Sequence, residues 1–118
     1  LPLEGVTMQA VEFTPQFQKH AGELCHGIYI QIDDREPFKP YRFGMALLIA
    51  AAHTFPEHFS WRKEPYEFVE DVPAIDLLFG SSTLREVVEG YTPVDQLRGQ
   101  LESFERRYQS ARTQCFLY

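Results

Sequence analysis

Ile28-Tyr29-Ile30-Gln31-Ile32-Asp33-Asp34-Arg35 sets three isoleucines on one side of the chain and Tyr29 and Gln31 on the other. This is the period-two pattern of a strand buried on one face. Asp33-Asp34-Arg35 closes it with turn chemistry. Working back toward the N-terminus, Val6, Met8 and Ala10 share a face before the phase shifts to Val11 and Phe13. The spacing predicts a first strand over Val6 to Phe13, with a bulge or bend where the phase changes. Thr14-Pro15 ends that strand, because proline donates nothing to a ladder and restricts the residue before it. The polar run Gln16 to Glu23 is then a loop between two strands.

Working forward, Pro40 supplies a start signal, and the run Ala46 to Ala52 is apolar nearly all round. That predicts a central helix over Tyr41 to Thr54, packed against a sheet and stopped by Phe55-Pro56. Phe59-Ser60-Trp61 and Tyr66-Glu67-Phe68 read as two short, aromatic, strand-like segments. Pro73 opens a short helix carrying Ile75, Leu77 and Leu78, which Gly80 ends. Thr83 and Glu86 have the spacing of a capping box, with Leu84, Val87 and Val88 as the apolar stripe and Gly90 as the left-handed terminator. Thr92-Pro93 caps a last helix on which Leu97, Leu101, Phe104 and Tyr108 recur at steps of four, three and four. Strand, strand, helix, aromatic strands and three helices lack βαβ alternation, so the fold class is α+β. The short-stranded sheet is expected to be packed by the central helix and the C-terminal helices, with Leu47, Leu48, Ile49, Leu97, Leu101 and Phe104 buried.

The chain has 118 residues, 44% apolar and 24% charged, which fits one globular domain of residues 1-118. A formal net charge of -6 and a pI near 5.1 argue against nucleic acid as a ligand, since phosphate backbones select basic faces. The longest apolar run, Met45 to Ala52, falls well short of the roughly 20 residues that cross a bilayer. Cys25 and Cys115 would allow a disulfide in an oxidising compartment, but their spacing leaves the compartment open. The opening Leu1-Pro2, with no initiator methionine, reads as a portion of something longer, any targeting segment lying upstream.

Several residues invite chemistry. Cys25-His26, with His20 nearby, suggests a thiol nucleophile or metal ligands. Neighbours on a strand point to opposite faces, however, which favours a buried cysteine beside a cleft-lining histidine. Asp33, Asp34 and Glu36 could bind calcium or form a glycosidase pair, yet contiguous acids in a turn are far more often turn formers. Glu67 is the better-placed carboxylate, since Tyr66 and Phe68 could desolvate it, although a half-buried structural glutamate is the commoner state. Trp61 and Phe59 could stack on a sugar, or belong to a core. Thr14, Lys19, His20 and His26 gather hydroxyl, ammonium and imidazole donors about one loop, as a polar ligand with hydroxyl and carboxylate groups would need. No catalytic residue and no metal ligand is assigned.

The string Phe13-Thr14-Pro15-Gln16-Phe17-Gln18-Lys19, followed by Gly22-Glu23-Leu24-Cys25-His26-Gly27, resembles a pattern of the exo-lytic β-N-acetylmuramidases of the NamZ type. The likeness continues through Phe38-x-Pro40, Gly44-x-x-Leu47-Leu48, Phe55-Pro56-x-x-Phe59-x-Trp61, Pro65-Tyr66-Glu67-Phe68, Ile75-Asp76-x-Leu78-x-Gly80 and Phe116-Leu117-Tyr118. The opening Leu1-Pro2-Leu3-Glu4-Gly5-Val6 carries two residues more than the usual Leu-Pro-Gly-Val. The resemblance implies the smaller, barrel-like C-terminal domain of a two-part bacterial glycosidase, whose Rossmann-like N-terminal domain holds the proposed catalytic glutamate and is absent from this chain. Such enzymes release N-acetylmuramic acid from non-reducing ends of peptidoglycan fragments in secreted or periplasmic settings. No metal or organic cofactor is implied. Partners would be a peptidoglycan-derived sugar and the N-terminal catalytic domain, with the loop from Thr14 to Gly27 lining the cleft. Substrate positioning is the role expected of this chain, and inactivity is expected of it alone. A free-standing carbohydrate-binding or structural docking module is the rival reading.

Overall fold

The structure is a computed structural model that describes residues 3–116, so Leu1, Pro2, Leu117 and Tyr118 of the resemblance lie outside the described residues. The elements run β1 (Val6–Phe13), β2 (Cys25–Ile32), α1 (Pro40–Thr54), α2 (Ala74–Phe79), α3 (Thr83–Val88) and α4 (Val94–Thr113). The mixture of a two-stranded antiparallel sheet with helices is α+β. The chain divides into two compact units, Leu1–Phe43 and Gly44–Tyr118.

In the first unit, β1 and β2 pair without interruption from Val6 opposite Ile32 to Phe13 opposite Cys25. The bulge expected in β1 is therefore absent. The phase shift has another cause: Val6, Met8 and Ala10 lie on one face, while Val11 and Phe13 lie on the other, so both faces carry apolar groups. Ile28, Ile30 and Ile32 were expected to be buried and are exposed, because a two-stranded ribbon has no second layer of its own to lay over them. No third strand joins the ribbon among the described residues, and the sheet is open, not closed as a barrel. Its open end is fastened by Gly5, whose carbonyl accepts the backbone N–H groups of Asp33 (2.9 Å) and Asp34 (3.2 Å). Gly5 has φ +71°, and a Cβ there would stand 2.2 Å from the Asp34 carbonyl oxygen, so only glycine closes this end.

Helix α1 ends where Phe55-Pro56 turns the chain, with His58 and Phe59 donating to the Phe55 carbonyl at 3.0 and 2.9 Å. Leu47, Leu48 and Ile49 are half-buried, not sealed. The aromatic stretch that follows is not a pair of strands. Phe59 and Trp61 make an edge-on ring contact at 4.9 Å, and Tyr66 to Val69 forms a tight turn closed by two backbone hydrogen bonds of 3.4 and 3.0 Å. Aromatic content alone mimicked strand propensity here.

The second unit's core gathers Ala74, Leu84, Val87, Leu97 and Leu101, with α3 packed on both α2 and α4. Pro73 precedes α2 and accepts N–H bonds from Asp76 and Leu77, and left-handed Gly80 ends the helix. At α3 the expected capping box is displaced. Ser82, not Thr83, is the cap residue; its hydroxyl donates to Glu86 at 2.6 Å, and Thr83 lies inside the helix and is buried. Gly90 closes α3 as expected, donating to Val87 while Tyr91 donates to Glu86, the paired bonds of a Schellman ending. Thr92 does not cap α4 either, since its hydroxyl donates to Glu86 at 3.2 Å and Pro93 takes the cap position. On α4, Leu97 and Leu101 are buried, whereas Phe104 and Tyr108 are exposed and stack on each other at 6.2 Å. Length explains the difference: twenty residues of helix span about 30 Å, and α3, the helix packed on α4, is about 9 Å long, so it covers only part of it.

Candidate functional site

Thr14, Lys19, His20 and His26 all lie on the excursion between β1 and β2 or at its foot. The loop is pinned where Gly22 donates to the Pro15 carbonyl at 2.9 Å and Glu23 donates to the His20 carbonyl at 3.0 Å. Gln18 (φ 65°), His20 (φ 58°) and Gly22 (φ 80°) adopt left-handed backbone, which side chains other than glycine take at a cost. The loop is thus held in one uncommon path, and not left to wander.

Each histidine has its own carboxylate. His26 Nδ1 stands 3.3 Å from Glu12 Oε1, its directly opposite cross-strand neighbour, and His20 Nδ1 stands 3.2 Å from Glu23 Oε2. A carboxylate beside Nδ1 favours that nitrogen as the donor and leaves Nε2 as the free end of the ring. Both pairs are about two-thirds exposed, so their worth to stability is small. Lys19 has no ion pair among the described residues, and the Thr14 hydroxyl has no partner there. No hydrogen bond or ion pair joins any two of the four among the described residues. They share a loop without forming one cluster.

Cys25 is half-buried and points its thiol toward the Glu23 carbonyl at 3.7 Å, on the face opposite His26; Cys115 sits at the end of α4, and both thiols are free. No group of three or more metal-ligating side chains occurs among the described residues. Asp33 accepts from Thr7 and Gln31, and Asp34 accepts from the Glu36 backbone at 3.0 Å, which are turn duties. Glu67, expected to be desolvated by its aromatic neighbours, is exposed at the tip of the Tyr66–Val69 turn with φ 51°.

A linked set of charges in the second unit escaped the sequence. Arg85 grips Asp76 through Nε (3.1 Å) and a terminal nitrogen (2.8 Å), then reaches Glu89 at 3.3 Å, and Glu89 accepts the Trp61 indole N–H at 3.1 Å. The hydrogen bond to Asp76 is the leading reason that the Arg85 guanidinium is held even more firmly charged than usual. Arg85 and Glu89 have the i, i+4 spacing that could have flagged part of it; Asp76 and Trp61 arrive from other segments.

Among the described residues, no helix is long and apolar enough to cross a membrane. No solved structure matches the chain. A peptidoglycan β-N-acetylmuramidase, NamZ, of Bacillus subtilis (strain 168) is 30% identical over 118 residues, which is 100% of this chain and 27% of that protein. The chain thus spans about a quarter of the length of this curated relative. The model of the C-terminal region of exo-β-N-acetylmuramidase NamZ matches residues 1–118, and the chain belongs to that family.

Proposed function

We propose that this chain is the cleft-forming, substrate-positioning C-terminal domain of a peptidoglycan exo-β-N-acetylmuramidase, with hydrolysis carried by a preceding Rossmann-like domain. The reaction would release N-acetylmuramic acid from non-reducing ends of the glycan, in a secreted or periplasmic setting. Family membership and the activity in the relative's name support the reaction class. The observation that carries the positioning role is Lys19, an exposed ammonium without an ion-pair partner among the described residues, on a loop held in left-handed backbone.

N-acetylmuramic acid differs from its neutral counterpart by a lactyl carboxylate. An ammonium gives that group a charge-assisted hydrogen bond and the Thr14 hydroxyl supplies a further donor, while the outward Nε2 atoms of His20 and His26 can accept from sugar hydroxyls. Glu12 and Glu23 each stand beside a histidine, which leaves Lys19 as the group that would answer the carboxylate.

The experiment compares the chain with a full-length parent protein on chromogenic N-acetylmuraminide. Turnover by the parent and none by the chain is the expected result, because ordinary glycosidase chemistry needs two placed carboxyl groups. Robust turnover by the chain alone would overturn the division of labour. Undiminished turnover by a parent carrying Lys19→Ala would remove the positioning role and leave a structural docking module.

A further inference from the structure

Trp61 is half-buried in a stretch without regular backbone structure, and it is not among the sealed residues of the second unit's core. It is fixed from two sides: the edge-on ring of Phe59 at 4.9 Å, and the hydrogen bond from its indole N–H to Glu89 at 3.1 Å. Glu89 is held by Arg85, and Arg85 by Asp76, whose carboxylate is only 9% exposed. The tie on a partly open indole therefore runs back to a buried anchor between α2 and α3. Such support from behind is how an aromatic plate is kept in one orientation for a ligand, since an immobilised side chain loses less entropy on binding.

We propose that Trp61 is a sugar-contact residue, on which a neutral pyranose ring of the glycan stacks its C–H face. The proposal rests on the reading that the chain handles peptidoglycan glycan, but it uses none of the residues between Thr14 and Gly27. The surroundings favour a neutral, hydroxyl-bearing ring. Arg62 is paired with Glu64 at 3.7 Å and lies over the Tyr66 ring at 5.9 Å, and Arg85 is spent on Asp76 and Glu89, so neither guanidinium is left to select an anion. A partly open indole beside planar hydrogen-bonding groups suits the apolar face and equatorial hydroxyls of a pyranose.

Trp61 is the one tryptophan of the chain, so its fluorescence reports this position alone. The intact chain is titrated with a β-1,4-linked N-acetylglucosamine tetrasaccharide, reading tryptophan emission and, in parallel, calorimetric heat. A saturable change in emission is expected. Glu89→Ala should weaken the affinity severalfold, and Trp61→Ala by about tenfold or more, the worth of a lost stacking contact. Circular dichroism checks that each variant is folded; if Trp61→Ala is not, Trp61→Leu replaces it, with the same weakening expected. Silent emission up to roughly 10 mM sugar, which is weaker than about 3 kcal/mol of binding, overturns the proposal. So does calorimetric binding that survives removal of the indole, or binding of a protein partner at Trp61 without sugar affinity. Silent emission alongside a Lys19-dependent muraminide activity would sink this inference and leave the proposed function standing.

Discussion

The ring of Phe13 lies across Gly27: a Cβ built on Gly27 would stand 2.9 Å from Phe13 Cε1. Gly27 is directly opposite Val11, and Phe13 shares that face two pairs along the ladder. The glycine that closes the Gly22 to Gly27 motif thus makes room for the phenylalanine that opens the Phe13 to Lys19 motif. Gly27→Ala should destabilise the chain by about 1 kcal/mol in urea unfolding, because the ring must shift to admit a methyl group. In a Phe13→Ala background the sign should reverse, since alanine then meets no ring and stiffens the unfolded chain. The same cost in both backgrounds would show that the contact is not the reason for the glycine.

Arg85→Ala should cost about 2–4 kcal/mol, because it strands the Asp76 carboxylate, 9% exposed, without its cation. Arg85→Lys should recover only part of that, as an ammonium does not reproduce the two-pronged grip of a guanidinium. Chemical denaturation of both variants checks it.

Lys19→Ala in a full-length parent should lower kcat/KM on N-acetylmuraminides by roughly 1.5–3 kcal/mol in transition-state terms, with little change in fold stability. Activity on the matching N-acetylglucosaminide, which lacks the lactyl group, should be almost unaffected. Equal losses on both substrates would make Lys19 a loop-positioning residue.

Burial raises the pKa of the Tyr41 phenol above its ordinary value. The folded chain then keeps a proton that the unfolded chain releases near pH 10, so this contribution to stability is full below about pH 10 and is lost as pH rises through the folded value. Tyr41→Phe should flatten the alkaline fall of stability, read from thermal unfolding between about pH 9 and 11.

The helices and both strands were legible because their periodicities are local, as in Ile28, Ile30 and Ile32 or Leu97 and Leu101. What escaped were matters of partnership. Glu12 meets His26 only once the register is known, and Asp76 meets Arg85 only once α2 and α3 have packed. Phe104 and Tyr108 follow the helical stripe faithfully and still face solvent, because periodicity gives the face of a helix and not how far its neighbours extend. At the candidate site, residue types were readable but not pairings: the carboxylates of Glu12 and Glu23 come from outside the set that the donors suggested.

Glu67 and Phe68 both hold positive φ in the two-residue turn between Tyr66 and Val69, and Phe68 is as open to water as a side chain becomes. Turns of this hand are the natural home of Asn-Gly. The pair therefore stores backbone strain of order 1–3 kcal/mol per residue at a point that touches no core. Phe68→Gly should release part of it and raise the melting temperature. The turn is in effect a brake on thermostability, removable by one codon change without repacking the interior.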